Sequence, residues 1–221
     1  MKRGWIPIYS GPRSRRRAVR ADARRNRAAV LAAAESAYAE HGVDVSLNEI
    51  ARRANTGNAT LYRHFRTREA LLAEVYTGHL ERYCVLAEDA ARADDPGIAL
   101  RDCVIATCRL QASNRGLADL LASLRPLSAR VEDLRARHYR AVTALFERAV
   151  RGGAVRPDAS PADLAVLLIA NAGLVHRTVE DAPGSSGRLV ALWLTGLLSP
   201  GVPVEVPPAP TDRQVRRVLH D

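Results

Sequence analysis

Apolar residues recur along most of the chain at steps of three and four, the period of a helix with one buried face. From Arg24 to His41 the positions Val30 or Leu31, Ala34, Ala37, Tyr38 and His41 form such a stripe. Gly42 follows where a C-terminal cap glycine would stop the helix. Ser46, with Glu49 three residues on, has capping-box spacing and predicts a second, short helix with Leu47, Ile50, Ala51 and Ala54 inward. Asn55-Thr56-Gly57-Asn58 breaks it, and Ala59 to Phe65 makes a third helix with Leu61 and Phe65 on its buried side. Two short helices joined by a tight Asn/Gly turn predict a helix-turn-helix.

The pattern then lengthens. A helix from near Thr67 carries Leu72, Tyr76, Leu80 or His79, Tyr83 and Ala87 on one side and ends before Asp94-Asp95-Pro96. The next covers about Pro96 to Ala112, with Ile98, Cys103 or Val104, and Thr107 or Cys108 inward; Asn114 to Leu124 is shorter. Val131, Leu134, His138, Val142, Leu145 and Ala149 mark a helix closed by Gly152-Gly153, and Pro161 opens one that runs to about Val179. Asp181 to Gly187 reads as a loop and Leu189 to Leu198 as a helix. Ser199 to Pro210 is a Pro-rich linker or tail before a short basic stretch, Thr211 to Leu219, that nothing in the sequence docks. The expected fold class is all-α, divided into a basic arm (1–19), a three-helix unit (20–66), a larger helical unit (67–199) and a Pro-rich tail (200–221).

Charge sharpens this division. Residues 1–30 hold ten Lys or Arg and one acid, Asp22, so the whole net charge of +9 lies there and the rest of the chain is neutral. The arm, with Pro7, Gly11 and Pro12 before the run Arg13 to Arg17, reads equally as a solvated, disordered leader or as a functional arm. The longest nearly apolar run, Leu164 to Val175, is too short to cross a bilayer and contains Asn171, so no membrane partner is expected. The basic N-terminus lacks the apolar core of a secretory signal, and three cysteines with no C-x-x-C pair fit a reducing cytoplasm.

Chemistry concentrates in the helix-turn-helix. Duplex DNA carries about one negative charge per 1.7 Å, and the second helix of such a pair enters the major groove by its N-terminal end. Here that end reads Asn58, Ala59, Thr60, Tyr62, Arg63 and His64. Small residues come first and let the backbone approach; Thr60 offers a hydroxyl and a methyl, and Tyr62 faces outward with a phenol. Arg63 or Arg66 and Arg68 can clamp flanking phosphates.

The stretch Arg24 to Tyr76 resembles the TetR family of transcriptional regulators. The resemblance rests above all on Leu47-Asn48-Glu49-Ile50-Ala51 and on Thr60-Leu61-Tyr62-Arg63-His64-Phe65-Arg66-Thr67-Arg68-Glu69-Ala70-Leu71. It implies a DNA-binding head of three helices, with a larger helical domain that binds a small-molecule effector and makes a homodimer through its last two long helices. It also implies that Thr60, Tyr62 and His64 touch DNA, that Asn58 and Ala59 face the groove, and that Ser46, Asn48 and Arg68 contact the backbone. The turn Asn55-Thr56-Gly57 departs from the family's usual A-G-V-S-x-G, although Asn tolerates the left-handed conformation that glycine usually supplies.

Beyond Tyr76 no G-x-S-x-G, H-E-x-x-H, Walker or G-x-G-x-x-G signature occurs, and the six histidines are scattered. No catalytic residue, metal ligand or cofactor is assigned. Cys103, His138, Asn171 and His176 are candidate effector contacts, set against the commoner reading of an ordinary interior residue; Asn171 could instead set register at a dimer seam. The leading expectation is a repressor released from a palindromic operator by a small molecule. The alternative is a helical small-molecule-binding protein whose head reads no sequence, with an enzyme third.

Overall fold

A computed structural model of the chain describes residues 12–123 and 126–220 (backbone only for 12–20, 216, 217, 219 and 220). Pro12 opens α1, Pro12–His41, at the helix position where its missing N–H goes unused. The basic segment expected in a disordered arm is therefore helical from Pro12 onward, while residues 1–11 lie outside the described residues. Arg and Ala are strong helix formers, and once Val30, Ala34, Ala37 and Tyr38 are buried each added residue gains a hydrogen bond without a new nucleus.

Gly42, at φ +83°, turns the chain into α2, Leu47–Arg53. Ser46 Oγ accepts the Glu49 amide at 3.2 Å. The Glu49 carboxylate does not complete the expected box, because Arg52 and Arg53 take it at 2.8–2.9 Å and hold it down to about pKa 2. Asn55, at φ +51°, supplies the left-handed residue after α2, with the Thr56 amide on Ala51 O and the Asn55 amide on Arg52 O, a Schellman closure. Next come α3, Asn58–His64, and α4, Arg68–Arg92, capped by Thr67. The body continues as α5, Pro96–Ser113; α6, Arg115–Leu121; α7, Ala129–Arg151; α8, Pro161–Thr178; and α9, Ser185–Leu197. Asp95, Asn114, Ser128 and Ser160 cap α5 to α8, the last in a full box with Asp163. No strand occurs among the described residues.

Two buried clusters organise the molecule. The first joins Val30, Ala34 and Tyr38 of α1, Ile50 of α2 and Leu61 of α3 to Leu72 and Tyr76 of α4, Leu117 and Leu120 of α6, and Leu134 of α7. The head's interior thus continues across residue 66 into the body. The second fills the space between α5, α7, α8 and α9 around Leu100, Val104, Leu145, Phe146, Leu167 and Leu194.

Further details differ from the sequence expectation, His41 of the α1 stripe being exposed. Ile98 is exposed, because Gly97 faces Ala154 and Val202 instead. Part of the expected 181–187 loop is helical, since α9 starts at Ser185. The tail docks: Arg101, Arg188 and Arg177 donate to the carbonyls of Pro203, Pro207 and Val218, and α10, Asp212–His220, lies over α8 and α9 above an apolar cavity of about 280 Å³.

Gly116 is the tightest joint. A Cβ there would meet the Tyr76 hydroxyl and lie 2.9 Å from Tyr38 O, so α6 can approach α1 and α4 only with glycine at that point. Gly116→Ala is expected to destabilise the fold by about 1–3 kcal/mol despite alanine's better helix propensity. The check is a lower urea midpoint at unchanged m-value.

Candidate nucleic-acid interface and effector site

Helix α3 is fixed by two residues. Leu61 is fully buried and Phe65 nearly so, and Arg27 lies 5.1 Å over the Phe65 ring while pairing with Glu74. That anchoring turns the rest of the helix outward. Asn58, Ala59, Tyr62 and Arg63 are exposed, with Thr60 and His64 half-buried beside them. Gly57 caps α3 without a side-chain acceptor. Arg63 Nη2 donates to Thr60 Oγ1 at 2.9 Å, and Asn58 Nδ2 donates to Asn48 Oδ1 at 2.9 Å, joining the starts of α2 and α3. Ser46, Asn48, Asn58, Ala59, Thr60, Tyr62 and Arg63 therefore lie on or beside the two short helices where the sequence placed them. Arg68 differs. Its guanidinium is half-buried and donates to Val43 O at 2.6 Å, bracing the α1–α2 turn, whereas Arg66 is exposed.

The four effector candidates separate into three places. His138 stacks on Tyr83 with ring centroids 3.8 Å apart and planes 14° off parallel. Tyr83 bonds to Thr107, and Cys103 and Cys108 lie close by. Burial pushes the Cys103 thiol up to about 11 and Cys108 up to about 12, so both are protonated, unreactive thiols at neutral pH. His138 Nε2 and Thr143 Oγ1, both on α7, are buried without a hydrogen-bond partner. Cys103 and His138 thus share one neighbourhood between α4, α5 and α7.

Asn171 lies elsewhere. It is fully buried inside the protomer, donating to Gln111 Oε1 at 2.8 Å and accepting from Ser186 Oγ at 2.8 Å, while Gln111 donates to Leu168 O at 3.1 Å. It ties α5, α8 and α9 together and does not face a seam. His176 is half-exposed and bonds Asp119 of α6 at 2.6 Å, next to the head. Gln111 and Asp119 were not singled out by sequence reasoning, and Thr107 was read only as an inward position of its helix. Each is a polar residue inside an apolar stripe, the one signal they carried.

Comparison with known proteins agrees with this architecture. The N-terminal model of the bacterial TetR regulatory proteins matches residues 30–75, and that of the SbtR-like transcriptional regulator C-terminal domain matches 95–199. A TetR transcriptional regulator of Streptomyces coelicolor, SCO0520, is 32% identical, the match covering 79% of this chain and 99% of that one with a TM-score of 0.51. An HTH-type transcriptional regulator of Mycobacterium bovis is 29% identical over 164 residues, 72% of this chain and 86% of its own. The SmeT–triclosan complex shares the fold at 23% identity and a TM-score of 0.54, over 84% of this chain and 99% of that one. The chain belongs to the TetR family of transcriptional regulators. No helix among the described residues is long and apolar enough to cross a membrane.

Burial disfavours the His138 imidazolium and lowers its pKa from the ordinary 6.5 to about 4. Below 6.5 the unfolded chain takes up a proton that the folded one refuses, so this residue's contribution to stability is whole above 6.5 and is lost as pH falls towards 4. Between those values the native protein is expected to lose up to about 1.4 kcal/mol per pH unit more than His138→Gln. Urea midpoints of the two proteins at pH 7.5, 5.5 and 4.5 provide the comparison.

Proposed function

We propose that this TetR-family regulator is a homodimeric repressor that reads a near-palindromic operator with α3 and is released by a small molecule bound near His138. The observation that carries the reading is α3 itself: Leu61 and Phe65 face inward while Tyr62, 48% exposed, Asn58, Ala59 and Arg63 face outward. Tyr62, Thr60 and His64 are the proposed readers, with Ser46, Asn48 and Arg63 on the flanking backbone. Arg68 acts mainly by holding the α1–α2 turn.

The dimer is supported by the outer faces of α8 and α9. Val166, Ile169 and Leu192 are exposed large apolar residues. Among them Ala162, Ala165, Ala170, Gly173 and Gly196 are also exposed and small enough to let a second pair of helices approach. Two-fold symmetry through that face would present two copies of α3 to successive major grooves.

The effector site is supported by the unpartnered Nε2 of His138, whose ring stacks on Tyr83, a buried polar atom that a ligand's polar group would satisfy. SmeT, which shares the fold, is described in complex with triclosan. Release follows if that ligand binds best to a state with a different spacing of the two heads, and its effect equals its difference in affinity for the two states.

Selection from a random duplex library is expected to return a near-palindrome. Tyr62→Ala should then weaken binding to the winner by roughly hundredfold, since each protomer gives up an interaction with the bases worth about 1–3 kcal/mol. Sedimentation should show its dimer unchanged, and unaltered affinity would exclude this helix as the reader. Deleting residues 1–19 should flatten the dependence of log K on log salt by about 0.9 for each phosphate that the shortened chain no longer neutralises; an equal slope would mean that the basic segment is merely solvated.

A further inference from the structure

One cluster at the junction of head and body is unused by that reading. Asp119 of α6 accepts the Val43 amide on Oδ2 at 2.9 Å and bonds His176 Nε2 of α8 on Oδ1 at 2.6 Å. A carboxylate only accepts, so the His176 Nε2–H is the donor. The Val43 carbonyl is held from the opposite side by Arg68 of α4. A parallel strut runs beside it: Arg115 of α6 donates to Glu40 O at 2.9 Å and lies 3.6 Å from Glu180, just beyond α8.

Gly42 records how close this approach is. Its φ of +83° is what a helix C-cap requires, but a Cβ there would also lie 2.6 Å from Asp119 Oδ2 and 3.2 Å from His176 Cε1. The carboxylate and the imidazole therefore both press on the turn that launches α2. Ser46, the cap of α2, is three residues beyond Val43, too short a connection to absorb a shift of the Val43 amide.

We propose that Asp119 is a positioning residue that clasps the α1–α2 turn to α8 through His176 and so fixes the angle at which the α2–α3 unit leaves the body. In a dimer joined through α8 and α9 this clasp sets the separation of the two reading helices. The proposal deepens the DNA-binding reading above and rests on it.

The full-length chain tests it with three variants. His176→Leu removes the donor, Asp119→Ala removes the acceptor, and His176→Gln keeps an N–H within reach of the carboxylate. Affinity is measured on the selected two-half-site operator and on a duplex with one half-site, with sedimentation confirming that each variant is a dimer. His176→Leu and Asp119→Ala should weaken binding to the full operator by roughly tenfold, within the usual range of coupling between sites. The single half-site, which does not sense spacing, should change less than about twofold, and His176→Gln should recover most of the loss. Wild-type affinity of both disrupted variants, an equal loss on the half-site, or a Gln variant as weak as the Leu variant would each overturn the proposal. If the wild-type protein enriches no duplex, the DNA-binding reading fails separately. Hydrogen exchange over residues 47–64 then decides the clasp: it should be several-fold faster in His176→Leu than in the native protein, and equal rates would dismiss it.

Discussion

The outward display of α3 depends on the burial of Leu61 and Phe65. The helix has seven residues, too few to be stable in water without tertiary support, so its conformation is borrowed from the core beneath it. Removing two large side chains from water contributes on the order of 3–6 kcal/mol, more than any polar contact on the opposite face can offer. The same burial fixes the rotation of the helix, which decides that Tyr62 and Arg63 meet solvent. Display and anchoring are one fact seen from two sides.

That core does not belong to the head alone. Leu61 and Ile50 share an interior with Tyr76 of α4 and with Leu117 and Leu120 of α6. A displacement of α6 cannot be hidden in slack between head and body, because close-packed interiors transmit strain. Gly116 and Gly42 are the two places where the backbone itself closes the gap, one against Tyr38 and Tyr76, the other against Asp119.

Much of this was legible in the amino-acid sequence because it is local. Ser46, Asn55, Thr67, Asp95 and Pro161 act on their nearest neighbours, and the period of three and four located the inward faces of α2, α3, α4 and α7. The exposed side of α3, with Asn58, Ala59, Tyr62 and Arg63, followed from the same register. What escaped was set by distant partners. Arg68 has the spacing of a phosphate clamp, yet Val43 O, 25 residues away, takes its guanidinium. Asn171 resembles a seam residue in an apolar helix, but Gln111 and Ser186 meet it from the inside. His176 and Asp119 stand 57 residues apart, a pairing that no periodicity encodes. The full length of α1 escaped for the opposite reason: the segment from Pro12 carries no apolar period, and the helix propensity of its Arg and Ala residues extends the helix.

The strap formed by the C-terminal tail has an evolutionary consequence. Arg101, Arg188 and Arg177 grip main-chain carbonyls of the tail, at Pro203, Pro207 and Val218. A carbonyl is common to all twenty amino acids, so the strap is indifferent to most substitutions at those three positions. Its spacing is another matter: an inserted or deleted residue between Pro203 and Val218 would shift every later carbonyl away from its guanidinium. Drift in this segment should therefore be free in letter and constrained in length.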